Sequence, residues 1–251
     1  MIPKMLHYCW FGQGKKPELF KQCLESWKRY CPDFEIVEWN ESNSKQFSNP
    51  FYKNALRKRR YAFAADCIRV KVLREHGGIY LDTDMLLVKS IEPLLSFDFF
   101  TGYEVEDRAA YGFFGAKANH PLLQTMDDFY TTIEFNPFSP PVITHAFKDI
   151  VNESNLAEND KIFPPDYFYP LPYQKKDEDF STFVTENTYA VHLWDHSWKP
   201  EGKETINSLL RNLGTVVCDF VCYNYSYSYF KRYFREFSRK LYHRLIGKSG
   251  V

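Results

Sequence analysis

The run Gly77-Gly78-Ile79-Tyr80-Leu81-Asp82-Thr83-Asp84 constrains this chain more than any other stretch of its 251 residues. Upstream of it, Tyr61, Ala65, Ile68 and Val72 fall at i, i+4, i+7 and i+11, one stripe of a helix over residues 61–76. Two glycines end that helix, because the left-handed C-cap conformation costs glycine little. Ile79-Tyr80-Leu81 then reads as an apolar strand with Asp82 and Asp84 at its end. A helix that feeds directly into a buried strand is half of a βαβ unit, and only a sheet with helices packed against it accommodates that unit.

The flanking pattern agrees. Residues 5–10 read as a short buried strand, Pro17 opens a helical segment, residues 34–39 form a second strand, and a polar helix fills part of 43–58. Residues 85–88 continue extended beyond the acidic pair. Strand, helix, strand, helix, strand predicts an α/β fold with a largely parallel sheet. The second half is less regular: residues 97–103 and 111–116 look like strands, 121–130 like a helix and 189–194 like a last strand. Prolines 137, 140, 141, 164, 165, 170 and 172 indicate long loops between them.

In an extended backbone, residues two apart point the same way, so the carboxylates of Asp82 and Asp84 face one spot. Ligands of open α/β sheets bind beyond the strand ends. Paired carboxylates repel unless a cation lies between them, and a hard divalent ion such as Mn²⁺ or Mg²⁺ would neutralise them and bridge to a diphosphate. Two other classes use part of this pattern. A phosphatase of the haloacid dehalogenase type takes a nucleophile and an acid from a strand-end Asp-x-Asp, but Leu86 stands where such enzymes usually carry Thr or Val. A non-catalytic sugar-binding module would use the aromatic residues (18% of the chain) and would not need Asp66, Arg69, Asp82 and Asp84 together.

The 32 basic and 32 acidic residues cancel, which speaks against a general nucleic-acid binder. Lys4 and His7 interrupt the opening before a secretory h-region could form, and no run of roughly 20 apolar residues could span a bilayer. The six cysteines form no CxxC pair. Cys218 and Cys222 lack a second ligand pair, so free buried thiols in a reducing cytosol are expected rather than a zinc site.

Three ordered blocks carry a family resemblance. The run Ala64-Ala65-Asp66-Cys67-Ile68-Arg69, continuing through Leu73-Arg74-Glu75-His76 into the Gly-Gly strand and Asp82-Thr83-Asp84, resembles the core signature of glycosyltransferase family 32. These are sugar transferases with a DXD motif, including capsule enzymes and initiating mannosyltransferases. The run is also similar to the catalytic core of the clostridial glucosylating toxins. Ile2-Pro3-Lys4-Met5-Leu6-His7 through Trp10 resembles the family's N-terminal strand, and Ala190-Val191-His192-Leu193-Trp194 with Ser197-Trp198 its C-terminal motif. The resemblance spans roughly residues 1–200.

It implies a GT-A fold, a Rossmann-like nucleotide-diphospho-sugar transferase domain, and retaining hexosyl transfer. The donor would be a nucleotide-diphosphate sugar, with UDP-sugar favoured, and the acceptor a saccharide or lipid-linked saccharide in capsule, exopolysaccharide or lipopolysaccharide synthesis. By the same resemblance Asp82 and Asp84 hold the metal, Trp10 stacks on the nucleobase, and Asp66 and Arg69 grip the sugar and phosphate. Tyr80 approaches the diphosphate or the metal shell, His192 is a late metal or phosphate contact, and Ser197 and Trp198 belong to a lid. The residues after His192 depart from the usual run, so Asp195 and His196 stay open as third ligand.

From residue 223 onward aromatic and basic residues interleave. Residues 231–248 hold seven Lys or Arg against Glu236, a net +6, and Phe230, Phe234, Phe237, Leu241 and Leu245 follow helical spacing. A basic amphipathic helix of this kind suits an anionic bilayer. The expected organisation is a transferase domain over 1–222 and a membrane-contacting segment over 223–251, on a protein peripheral to the inner face of the cell membrane.

Overall fold

The computed structural model describes residues 1–47, 49–105, 107–136, 141–195, 205–222 and 227–246. The chain forms two compact units, one of Met1–Ile133 with Val142–His196 and the other of Glu134–Pro141 with Ser197–Val251. The first unit contains β1 (Met5–Cys9), α1 (Glu18–Tyr30), β2 (Glu35–Trp39), α2 (Pro50–Arg57), α3 (Tyr61–His76), β3 (Gly78–Leu81), β4 (Met85–Leu87), β5 (Phe99–Val105) and β6 (Arg108–Ala116). It continues with α4 (Pro121–Thr132), α5 (Ile143–Ala146), β7 (Asp160–Phe163), α6 (Pro165–Phe168) and β8 (Ala190–His192). The second holds α7 (Ile206–Cys222) and α8 (Tyr227–Ile246).

Six strands form one sheet in the order β2-β1-β3-β6-β5-β7, and β4 pairs with β8 in a separate ribbon. β6 runs antiparallel to both neighbours while the other pairings are parallel. This is the mostly parallel α/β sheet that the sequence predicts. Strands of such a sheet are covered on both faces, and β1 and β3 show it. Leu6, Tyr8, Ile79 and Leu81 join the core cluster with Phe20, Cys23 and Trp27 of α1. Across the sheet, His7 donates to the Gly77 carbonyl and Tyr80 lies against Arg69 of α3.

Residues 61–76 form the helix expected of them. However, α3 is buried well beyond its apolar stripe, Asp66 and Arg69 included, because the sheet, α2 and α4 all pack against it. At its C-terminus Gly77 and Gly78 take φ of +68° and +102°. A Cβ at Gly78 would stand 2.8 Å from the His7 ring and from the Met5 carbonyl oxygen. Glycine is therefore required there twice over, by conformation and by space.

α1 fixes β4. The Trp27 indole donates to the Met85 carbonyl at 2.7 Å, and the Leu87 amide donates to Ser26 Oγ at 3.0 Å. Cys9, Cys23, Cys31 and Cys67 are buried thiols as expected, whereas Cys218 and Cys222 on α7 are exposed. In the second unit α7 and α8 pack through Leu209, Val216, Tyr233 and Phe237. No helix among the described residues is long and apolar enough to cross a membrane.

Candidate active site

β1, β2 and β3 run parallel and end on the same edge of the sheet, where Asp82 follows β3. The acidic pair does not lie in extended chain. The Met85 amide donates back to the Asp82 carbonyl at 3.0 Å, closing a turn over Asp82–Met85, and the Asp82 amide donates to Gly112 of β6 at 2.7 Å. The carboxylates converge because a turn folds them together, not because alternate strand residues share a face.

The ribbon supplies the third group. β8 pairs antiparallel with β4, placing His192 opposite Met85, and the Leu193 amide donates to the Asp84 carbonyl at 2.9 Å. His192 Nε2 thereby reaches 3.1 Å from Asp84 Oδ1, and the Asp195 amide donates to Asp84 Oδ2 at 2.9 Å. Donor atoms of Asp82, Asp84 and His192 all lie within 4.8 Å of one another. Two carboxylates with one imidazole suit a divalent ion such as Mn²⁺ or Mg²⁺. The donor set, His192 Nε2 with the two carboxylates, fits such a cation.

Behind the triad stands a buried cation. Arg69 reaches Asp66 Oδ1 at 3.0 Å and Asp82 Oδ1 at 3.1 Å, donates to the Tyr111 carbonyl at 2.8 Å, and lies 4.5 Å from the centre of the Tyr80 ring. The Tyr80 hydroxyl donates to Asp82 Oδ1 at 3.2 Å. Burial pushes the Asp66 carboxyl up to about 6 although Arg69 pulls the other way. Burial also raises Asp82, which Arg69 opposes and the Asp84 charge reinforces. For Asp84 burial is outweighed by His192 and by backbone N–H donors, which together hold the carboxylate below its usual range. Burial disfavours the His192 imidazolium, yet Asp84 leaves its pKa raised. Neighbouring charges hold Arg69 firmly cationic against its own burial.

The structure thus brings together Asp66, Arg69, Tyr80, Asp82, Asp84 and His192. Of the alternatives for third ligand, Asp195 offers its backbone amide to Asp84, and His196 lies outside the described residues, as do Ser197 and Trp198. Trp10 sits just beyond β1, half-buried, stacked on Phe20 at 5.8 Å with its indole N–H donating to Gly14.

Residues 17–101 match the family described as "Glycosyltransferase sugar-binding region containing DXD motif", and residues 115–225 match the "Alpha 1,4-glycosyltransferase conserved region". Over these two stretches the chain is similar to glycosyltransferases with a DXD motif. It is 28% identical over 205 residues to the human alpha-1,4-N-acetylglucosaminyltransferase, covering 74% of this chain and 56% of that one. An uncharacterized glycosyltransferase, L373, of Acanthamoeba polyphaga mimivirus is 26% identical over 219 residues, covering 81% of this chain and 86% of its own. The mouse lactosylceramide 4-alpha-galactosyltransferase is 30% identical over 173 residues, covering 61% and 47%. The chain spans about half the length of the human and mouse relatives. Neither matching region is of the haloacid dehalogenase type.

Two residues of this site escape sequence reasoning. A Cβ at Gly112 would stand 2.7 Å from Asp82 Oδ2, so the missing side chain is the space the carboxylate occupies. The buried Tyr169 hydroxyl accepts from the Phe113 amide at 3.0 Å, and its ring meets His192 edge-on at 5.8 Å. Both belong to the site through pairings between distant segments, and no local pattern marks either.

Proposed function

We propose that this chain is a retaining, metal-dependent hexosyltransferase that moves a hexose from a nucleotide-diphosphate sugar, UDP-sugar by preference, to a saccharide acceptor. The observation that carries the reading is the convergence of Asp82, Asp84 and His192 at a strand end, backed by the buried Arg69–Asp66 pair. A bound Mn²⁺ or Mg²⁺ supplies Lewis-acid stabilisation of the charge that builds on the departing diphosphate. Asp82, Asp84 and His192 would hold it. Arg69 keeps a fixed positive charge behind Asp82 and orients that carboxylate, a preorganised electrostatic arrangement that needs no rearrangement during the reaction. Asp66 accepts hydrogen bonds from hydroxyls of the donor sugar, Trp10 stacks on the base, and Tyr80 steadies Asp82.

The α-linkages named for the human and mouse relatives support retention, since an α-product from an α-linked nucleotide sugar keeps its configuration. Asp66, Asp82 and Asp84 are each engaged by Arg69, Tyr80 or His192, which leaves none as a free nucleophile. Front-face attack, with the leaving phosphate oxygen taking the acceptor's proton, needs none. The mouse relative's name points to a glycolipid acceptor. Together with the basic segment 223–251, this supports a lipid-linked acceptor in surface polysaccharide synthesis and a peripheral position on the inner face of the cell membrane.

A panel of nucleotide sugars with Mn²⁺ and a saccharide acceptor tests the reading. Release of a nucleoside diphosphate with formation of an α-glycoside is the expected result, with the same donor raising the unfolding temperature. No release from any donor, or full activity in excess chelator, would overturn it.

A further inference from the structure

In α7, Ile206, Leu210, Val217 and Val221 are exposed, Val221 to 68%. At about 100° per residue these four fall within an arc of roughly 60°. On α8, exposed Tyr227, Phe234 and Tyr242 likewise share one side, with exposed Lys231 between them by helical position and exposed Arg235 and Arg239 flanking. Each stripe lies roughly a quarter turn from its helix's buried seam, in the same rotational sense along the chain: from Leu209 and Val216 on α7, and from Tyr233 and Phe237 on α8. The helices are antiparallel, since Phe220 meets Phe230 at 5.1 Å while Tyr233 reaches back toward Leu209. Two antiparallel helices with stripes displaced in the same sense present both stripes on one side. Glu236 falls off this side and pairs with Lys240.

We propose that the α7–α8 pair docks on an anionic lipid bilayer, its aliphatic and aromatic stripes entering the headgroup boundary while Lys231, Arg235 and Arg239 meet lipid phosphates. The reading rests on the membrane-surface position proposed above and deepens it. The docking surface is a two-helix face that starts at Ile206, not the segment 223–251 alone. Aliphatic and aromatic side chains bordered by cations on one face match an anionic interface, where burial and charge attraction act together. A face that served only as a contact between copies of the chain would gather like charges across it.

The test is co-sedimentation of the full chain with vesicles of phosphatidylcholine, with and without phosphatidylglycerol. Wild type should sediment with the mixed vesicles and not with phosphatidylcholine alone. Leu210→Ser with Val217→Ser should lower that partition about tenfold, the loss expected from two partly inserted aliphatic side chains. Lys231→Glu with Arg235→Glu should lower it by about tenfold or more. Phe234→Ser, with helicity checked by circular dichroism, carries the test on α8 should the double serine variant lose helix. Wild-type binding unchanged by both Leu210→Ser/Val217→Ser and Phe234→Ser would overturn the two-helix face while leaving a membrane role for the C-terminal residues. Equal binding to both vesicle types, or no binding at all, would overturn docking on anionic lipid altogether. A dimer that these substitutions dissociate, with no vesicle effect, would make a second copy the occupant. Transfer to a soluble acceptor should be the same in wild type and every variant. Its absence in all of them, with vesicle binding intact, would sink the catalytic reading and spare this surface.

Discussion

Asp84 Oδ1 stands 3.1 Å from His192 Nε2 across 108 residues of sequence, held there by the pairing of β4 with β8. The pair puts an imidazole beside two carboxylates that would otherwise repel. Asp84→Ala should bring sugar transfer to background, and a chelator should do the same until Mn²⁺ is restored. His192→Ala leaves both carboxylates, so it should weaken the metal rather than abolish it. Half-activation should need at least the ten- to hundredfold more Mn²⁺ that losing a supporting partner of a metal ligand typically costs. Titration of activity against Mn²⁺ separates the two variants, and equal Mn²⁺ requirements in wild type and His192→Ala would remove His192 from the ligand set.

Arg69 compensates two buried carboxylates, Asp66 and Asp82. Arg69→Met fills similar space without the charge, and leaving its partners uncompensated in the interior should cost roughly 3–5 kcal/mol. Urea denaturation reads that loss. Arg69→Lys keeps the charge but has no planar fork to reach Asp66, Asp82 and the Tyr111 carbonyl together, so transfer should fall much further than stability.

How much of this was legible follows from the range of each signal. α3, its Gly-Gly end and the strand into Asp82 are written in neighbouring residues, and the structure keeps them. Asp66 and Arg69 could be seen as partners three apart, but their burial depends on α2 and α4, which pack on that helix from elsewhere in the chain. The turn at Asp82–Met85 reads as extended because it directly follows an apolar strand, although Asp is a common turn residue. The place of His192 beside Asp84 could not be read from the sequence, since it follows from the register of β8 on β4. β7 was hidden because only Ile162 and Phe163 of its four residues are apolar, too short a pattern to show a period.

Gly112 offers a test in which the fold and the site part company. An alanine Cβ would meet Asp82 Oδ2 at 2.7 Å and the Tyr169 hydroxyl at 3.4 Å, and the carboxylate is the member of that contact able to swing aside. Gly112→Ala should therefore change stability by less than about 1 kcal/mol, as a tolerated substitution does. Activity should fall about a hundredfold, because a displacement of roughly 1 Å at a reacting centre costs that much. A urea midpoint near wild type with a collapsed kcat is the expected pair of results. A normal kcat would mean that the Asp82 position is not critical.

His7 makes the stability of the sheet depend on pH. Its Nδ1 accepts from the Trp39 indole at 3.1 Å and its Nε2–H donates to the Gly77 carbonyl at 2.9 Å, an arrangement that only the neutral ring can make. Burial, chiefly, lowers its pKa from 6.5 to about 4. The unfolded chain therefore takes up a proton at a higher pH than the native one. The stability due to a neutral His7 is complete above pH 6.5 and is lost as pH falls toward 4. The linkage amounts to about 3 kcal/mol over that window. His7→Gln removes the titration while keeping hydrogen-bonding groups at the position. It should be less stable than wild type at neutral pH, and the gap should narrow by about that 3 kcal/mol on acidification. Urea denaturation of both proteins at a series of pH values checks it. Parallel curves across the window would show that His7 is not the group whose protonation loosens β1 from the Gly77 turn.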